Sequence, residues 1–298
     1  TIKSKKIEMQ ECGMVKSNRT ISLMGEIFYD LRTQRNFRLT DFEKVGLSKS
    51  SLSDFESGKS ILRFDKLDAA LELMHIEVSE FEYFFNNYHS DYFVEICDEI
   101  EDANYMQDTV KLKAINSEAG KYDNEQGNRM IFLATQNLLY GLTEREEVEV
   151  TDLMFNIEVW SYFELSILSF VVEHLNTRLT LSLMKDFWKE NLHYLKVKKY
   201  REKIVQIVCR AAVKYISENK YSIAQKLLED VNIALIPYKK DLFCRNMSRF
   251  TLGLLLHQSG KTAEGKAKME SSIRLFDELG LPEMKAYYQK IFDESVKN

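Results

Sequence analysis

Apolar positions recur along most of this chain at intervals of three and four residues, the spacing of α-helices that bury one face. The first periodic stretch begins at Met24: Ile27, Phe28, Leu31 and Phe37 give an apolar face, and Arg32, Arg35 and Arg38 project from the other side. Thr40 is placed to cap a second, short helix carrying Phe42 and Val45, Gly46 makes a tight turn, and Ser48 is placed to cap a third helix from about Lys49 to Ser57. Leu52 and Phe55 of that helix face inward, which turns Lys49, Ser50, Ser51, Ser53 and Asp54 outward, and Gly58 ends it in the left-handed conformation. A fourth helix carries Phe64, Leu67, Ala70, Leu71 and Met74, and a fifth, capped at Ser79, closes the core with Ile76, Val78, Phe81, Phe84 and Phe85. Two short helices joined by a glycine-containing turn make a helix-turn-helix unit, whose second helix can enter the major groove of DNA. The pattern predicts a five-helix domain over 23–88, preceded by aperiodic basic residues 1–22 that read as a flexible extension.

The polar run 86–91 marks a linker or helix end before a second domain, 89–298. Amphipathic segments there fall near 91–103, 106–119, 124–139, 144–156, 160–175, 180–195, 201–218, 221–235, 239–258, 262–279 and 283–296, and their short polar breaks read as the turns of helical hairpins. Ala211, Ala212 and Tyr215 precede Tyr221, Ala224, Leu227 and Leu228; Leu252, Leu255 and Leu256 precede Gly260, Ala263, Ala267, Ile273 and Phe276. Small residues at a helix crossing, repeated with a period near 40, resemble degenerate tetratricopeptide-like repeats, so the second domain reads as an α-solenoid.

Composition agrees with an all-α fold, because 2 Pro and 11 Gly in 298 residues leave little to interrupt helices. A net charge of −5 argues against unselective coating of nucleic acid, so a DNA-binding face has to be local. Residues 1–63 hold twelve Lys or Arg against eight Asp or Glu, a local excess of +4. Without 18 consecutive apolar residues or an apolar N-terminal stretch, the expectation is a cytoplasmic protein with no membrane partner. Cys12, Cys97, Cys209 and Cys244 lack metal-ligand spacing and read as reduced, mostly buried thiols. The five histidines (His75, His89, His174, His193, His257) are dispersed, and no nucleophile triad, paired carboxylates, P-loop or GxGxxG motif stands out. Neither catalysis, a cofactor nor a metal is expected.

The stretch VGLSKSSLSDFESGKSILRFDKLDAALELMHIEVSEF resembles the DNA-binding domain of the Rgg family of Gram-positive transcription regulators, a branch of the lambda-repressor-like helix-turn-helix group. Leu31, Arg32, Arg35, Leu47, Ser48, Ser50, Phe55, Glu56, Gly58, Glu80 and Phe81 carry the family pattern. Asp54 departs from it, standing where members often have a basic residue; an Asp accepts from cytosine N4 but repels phosphate. VWSYFELSIL and the final FDELGLPEMKAYYQKIF resemble the regulatory half, so the resemblance spans about 24–296.

That resemblance implies a homodimeric regulator that binds an operator in double-stranded DNA and is controlled by a short signalling peptide in the concave face of the repeat domain. Spacing nominates Arg32, Arg35, Lys49, Ser50, Ser51, Ser53, Asp54 and Lys59 for DNA, and Phe163, Phe170, Glu173, Gln206, Arg210, Asn246, Arg249 and Gly253 for the peptide. Glu173 falls near where some relatives place an Arg that pairs with an acidic peptide, which implies preference for a neutral or basic one. A rival expectation is a protein-binding scaffold whose N-terminal domain only dimerises or is vestigial.

Overall fold

The computed structural model describes residues 15–85, 92–189 and 192–297, which excludes Cys12, His89 and the 86–91 linker. The chain splits into two compact units, 1–91 and 92–298, and every regular element among the described residues is helical.

The first unit contains α1 (Val15–Gln34), a 3₁₀ segment (Leu39–Val45), α2 (Lys49–Glu56), α3 (Phe64–Leu73) and α4 (Val78–Phe85). Three starts differ from the sequence expectation. Helix α1 begins well before Met24: residues 15–23 lack apolar periodicity, yet contain neither Pro nor Gly to break a helix. The second helix is a 3₁₀ segment capped at Arg38, whose backbone N–H donates to the Asp41 carboxylate at 2.7 Å, so Thr40 lies inside it. Ser79 likewise lies inside α4, and the Glu80 carboxylate accepts the Glu77 N–H at 2.9 Å. Ser48 caps α2 as expected, accepting the Ser51 N–H at 3.1 Å. The turns before and after α2 place Gly46 at φ +73° and Gly58 at φ +70°, a region costly for side chains with a Cβ. The core centres on Phe28, whose ring lies 5.7 Å from Phe42 and 5.5 Å from Phe55, walled by Leu52, Leu71 and Met74.

The second unit runs α5 (Tyr92–Tyr105), α6 (Thr109–Gly120), α7 (Gln126–Tyr140), α8 (Glu144–Phe155), α9 (Tyr162–Val171), α10 (Thr177–Lys189), a short 3₁₀ segment (Leu192–Lys196), α11 (Lys198–Ser217), α12 (Tyr221–Ala234), α13 (Leu242–Gln258), α14 (Thr262–Glu278) and α15 (Pro282–Lys297). Helices α7, α9, α11 and α13 pack side by side as one layer, and α6, α12 and α14 pair with members of it as hairpins. The repeat is visible in the turns. Asn219 (φ 58°) and Gly260 (φ 100°) occupy equivalent left-handed positions, and the following Lys220 and Lys261 share nearly identical dihedrals, φ −89° with ψ 55° and φ −87° with ψ 55°. Lys220 N–H donates to the Tyr215 carbonyl and Lys261 N–H to the Leu256 carbonyl, at 2.7 and 2.9 Å. The turns therefore repeat 41 residues apart, close to the period read from the sequence. At the α13–α14 crossing, a Cβ on Gly265 would stand 2.4 Å from the His257 backbone nitrogen and 2.6 Å from the Gly253 carbonyl, so glycine is required for this approach.

Candidate DNA-reading face and ligand cleft

Burying Leu52 and Phe55 leaves Lys49, Ser50, Ser51, Ser53 and Asp54 exposed on α2, with Lys59 exposed just beyond it. The Ser50 and Ser51 hydroxyls are each hydrogen-bonded to the Ser48 hydroxyl, at 3.0 and 2.9 Å, and so form part of the cap. Arg35 is exposed near the end of α1.

Arg32 is different. Its side chain is 10% exposed and grips Glu56 at the end of α2, Nε to Oε1 at 2.5 Å and Nη2 to Oε2 at 2.9 Å, while Nη1 donates to the Phe37 carbonyl at 2.7 Å. Glu56 is itself 8% exposed. A guanidinium with three donors engaged inside the fold ties α1 to the end of α2. The Leu-Arg and Phe-Glu pieces of the sequence pattern are thus two halves of one ion pair. A lone charged residue on a helix face gives no sign of this; a charged partner beside a buried Phe was the available signal.

In the second unit, the face of α11 turned toward α5 and α9 carries Lys203, Gln206, Arg210 and Lys214. Lys203 and Gln206 are buried, and both donate to the Glu101 carboxylate of α5. Lys203 also lies 5.5 Å from the Tyr162 ring and 5.7 Å from the Phe170 ring. Half-buried Arg210 donates to the Ser169 carbonyl at 2.8 Å, with its guanidinium 5.9 Å from the Phe170 ring. Burial works against the Arg210 charge, but the field of Tyr287, Glu173, Tyr105 and Glu101 holds its pKa above the usual arginine value, so it stays cationic. Lys214 donates to the Leu175 carbonyl, and burial pulls its pKa below the usual lysine value.

Cavities lie at both ends of this stripe. One, of about 250 Å³, is lined by Lys203 and Gln206 together with Glu101, Asp102 and Glu202. The other is an open cleft of about 840 Å³ where Lys214, Val213 and Ser217 meet Glu147, Glu173 and Glu218. Carboxylates outnumber cations in both. The axial distance from Lys203 to Ser217 is about 21 Å at 1.5 Å per helical residue, roughly the span of six or seven residues of extended peptide.

The nominated peptide residues divide accordingly. Phe170, Gln206 and Arg210 converge on the stripe, and Glu173, whose charge acts on Arg210, lines the larger cleft. Phe163 is packed against Phe93 at 5.1 Å. The other three face α14: Asn246 donates to the Ser272 carbonyl at 3.0 Å, Arg249 to the Ser271 hydroxyl at 2.9 Å, and Gly253 abuts Met269 and Gly265. They share one face of α13 by spacing, but that face is the hairpin seam. Lys203, Lys214, Glu101 and Glu147 were missed, because nothing in the sequence says which apolar-edged stripe of α11 looks toward a neighbour from the far end of the chain.

Burial pushes the Cys97 and Cys209 thiols up to about 12, and Cys244 is raised by the same cause. Among the described residues no His, Cys, Asp and Glu cluster could hold a metal, and no helix is long and apolar enough to cross a membrane.

Residues 107–290 match the family model described as "HTH-type transcriptional regulator Rgg, C-terminal domain". Solved structures with the same fold include a Listeria monocytogenes EGD-e protein described as a transcriptional regulator (14% identity, TM-score 0.76, 93% of this chain and 98% of that one). The Streptococcus dysgalactiae SHP pheromone receptor Rgg2 is 19% identical (TM-score 0.72, 91% and 99% covered). Bacillus thuringiensis PlcR, solved in complex with the peptide PapR7 and DNA, is 15% identical (TM-score 0.59, 90% and 99% covered).

Proposed function

The chain belongs to the Rgg family of HTH-type transcriptional regulators, and from that premise we propose that it is a cytoplasmic, non-catalytic regulator whose DNA binding is gated by a short peptide. Its DNA-reading domain comprises residues 23–88, extended N-terminally by α1 to Val15, and its regulatory domain residues 89–298. Arg35, Lys49, Ser50, Ser51, Ser53, Asp54 and Lys59 meet the DNA, with α2 entering the major groove and Arg32 holding α2 in place. The peptide lies along α11 between the two cavities, touching Phe170, Gln206, Arg210 and Glu173.

The observation that carries this reading is the stripe itself, a row of donors long enough for a short peptide, held in the ligand-free protein by Glu101 and the Ser169 and Leu175 carbonyls that a peptide would replace, and flanked by a cavity at each end. Partner chemistry is supported by Rgg2, a pheromone receptor, and by PlcR, crystallised with a peptide and DNA. The carboxylates at both ends favour a peptide that is neutral or basic there. Two copies acting together would grip half-sites about 34 Å apart; Ile233, Ile236 and Leu242, each more than half exposed, supply apolar surface for the pairing.

The test is a gel-shift titration at fixed salt on a duplex selected by the protein from a random library. Short synthetic peptides encoded by small reading frames beside the gene are then added. A sequence-preferring complex whose affinity shifts with one peptide supports the proposal. Peptide binding that leaves DNA occupancy unchanged refutes the gating, and absence of any preferred duplex leaves the scaffold role.

A further inference from the structure

In a stacked solenoid each helical pair touches only its neighbours. Here the first helix of the second unit also reaches the last, since α5 packs against α15. Asp98, Glu101 and Tyr105 recur at i, i+3 and i+7 and so share one face of α5. Asp98 accepts the Tyr162 hydroxyl of α9 at 2.7 Å. Glu101 accepts from Lys203 and Gln206 of α11. The Tyr105 ring lies 6.4 Å from Phe243 of α13 and 5.1 Å from Tyr287 of α15, edge-on in both cases. Three positions one turn apart on one helix therefore meet four alternate helices, α9, α11, α13 and α15. The other face of α5, Ile96, Cys97, Ile100 and Ala103, is buried in the core, and the helix packs there on α6, α7 and α9. So α5 is fixed to the early hairpins by apolar contact and to the late ones by a polar and aromatic seam.

The seam is incompletely filled: the cavity of about 250 Å³ lies in it, bounded by Glu101, Asp102, Tyr105, Lys203, Gln206 and Met284. Lys203 is 2% exposed, and among the described residues Glu101 is the carboxylate within ion-pair distance of it. Separating the two would strand a buried ammonium, which makes the seam favour one of two discrete arrangements, closed or open, over a graded series.

We propose that the α5 face built from Asp98, Glu101 and Tyr105 is a clasp that closes the array across its first and last helices, and that its opening exposes the α11 stripe to ligand. The placement of ligand on that stripe rests on the function proposed above; the clasp itself is tested without any ligand. Full-length Glu101→Gln is compared with wild type by amide hydrogen exchange and small-angle scattering, with neither peptide nor DNA present. Exchange in α15 and at the α11 stripe rises tenfold or more, the radius of gyration increases, and α7 exchanges as before. Tyr287→Ala, which leaves the ion pair in place, gives the same local pattern. Glu101→Leu with Lys203→Met removes both charges and keeps α15 protected. Exchange that rises equally in α7 and α15, or that stays unchanged in α15, overturns the clasp. A clasp that behaves as described in a protein that binds no peptide would overturn the proposed function and leave the clasp standing.

Discussion

Arg32 separates two roles by measurement. Replacing it with Ala leaves the Glu56 carboxylate, 8% exposed, without its guanidinium, and removes the donor to the Phe37 carbonyl. Breaking a buried ion pair by deleting one partner costs about 3–5 kcal/mol, whereas folding stability is roughly 0.05–0.15 kcal/mol per residue. A unit of some 70 residues has about 4–10 kcal/mol in all, so Arg32→Ala should leave the DNA-reading unit marginal or unfolded. Arg35→Ala, which removes an exposed cation, should leave its stability within about 0.5 kcal/mol.

DNA binding alone does not distinguish the roles, because an unfolded reader binds nothing. The distinguishing variant is Arg32→Met with Glu56→Met. Replacing both partners of a buried pair by apolar groups of similar size is nearly neutral or stabilising, so this protein should fold and keep the DNA affinity and salt slope of the wild type. Urea denaturation followed by hydrogen exchange in α2, and gel shifts between 50 and 200 mM salt, about the range over which phosphate contacts declare themselves, provide the readouts. A double variant that is folded yet binds DNA with a salt slope about one smaller would refute the reasoning and return Arg32 to the DNA face.

Other outcomes follow from the same structure. Lys49→Ala should weaken binding to every duplex nearly equally and lower the salt slope by about one if it meets phosphate, or relax preference at one base pair if it meets a base edge; titrations on single-base variants of the selected duplex tell these apart. Gly265→Ala forces a Cβ to within 2.4 Å of the His257 nitrogen, so the α13–α14 hairpin must spread, at a cost of about 1–3 kcal/mol measured by thermal or urea unfolding. Burial would raise the Asp241 carboxyl, but hydrogen bonds from Arg201, Nε to Oδ2 at 2.6 Å, and from Cys244 hold it below the usual range. A carboxyl lowered by folding contributes stability above its unfolded value of about 3.9 and loses it as pH falls through the folded value. Stability measured from about pH 6 down to 3 should therefore fall less steeply in Asp241→Asn than in wild type, and an unchanged slope would contradict the assignment.

The fold was legible because it depends on period and punctuation. Leu52 and Phe55 had to face inward, Gly46 and Gly58 had to take left-handed turns, and the α11–α12 and α13–α14 hairpins announced themselves by small residues about 40 apart. Helix starts were less legible, since Thr40 and Ser79 are good caps by chemistry, but Asp41 and Glu80 reach back to backbone N–H groups and move the boundary. Periodicity also fails at residues 15–23, where the helix runs on without an apolar repeat in the sequence to announce it.

What spacing could not supply is the identity of the neighbour. Residues 246, 249 and 253 of α13 and residues 203, 206, 210 and 214 of α11 are equally regular stripes, yet the first meets its own hairpin partner, while the second meets α5, about a hundred residues earlier in the chain, through Lys203 and Gln206, and α9 with the turn after it, about forty residues earlier, through Arg210 and Lys214. Helical period assigns residues to a face; only packing assigns the face to a partner. The same limit explains Arg32, whose partner lies 24 residues away at the end of α2. In both cases a cation that sequence alone would leave in solvent turns out to face a carboxylate on another helix. The carboxylates deserve to be traced first, since at the seam Glu101 settles which stripe of α11 is inner, and at α2 Glu56 settles which arginine is structural.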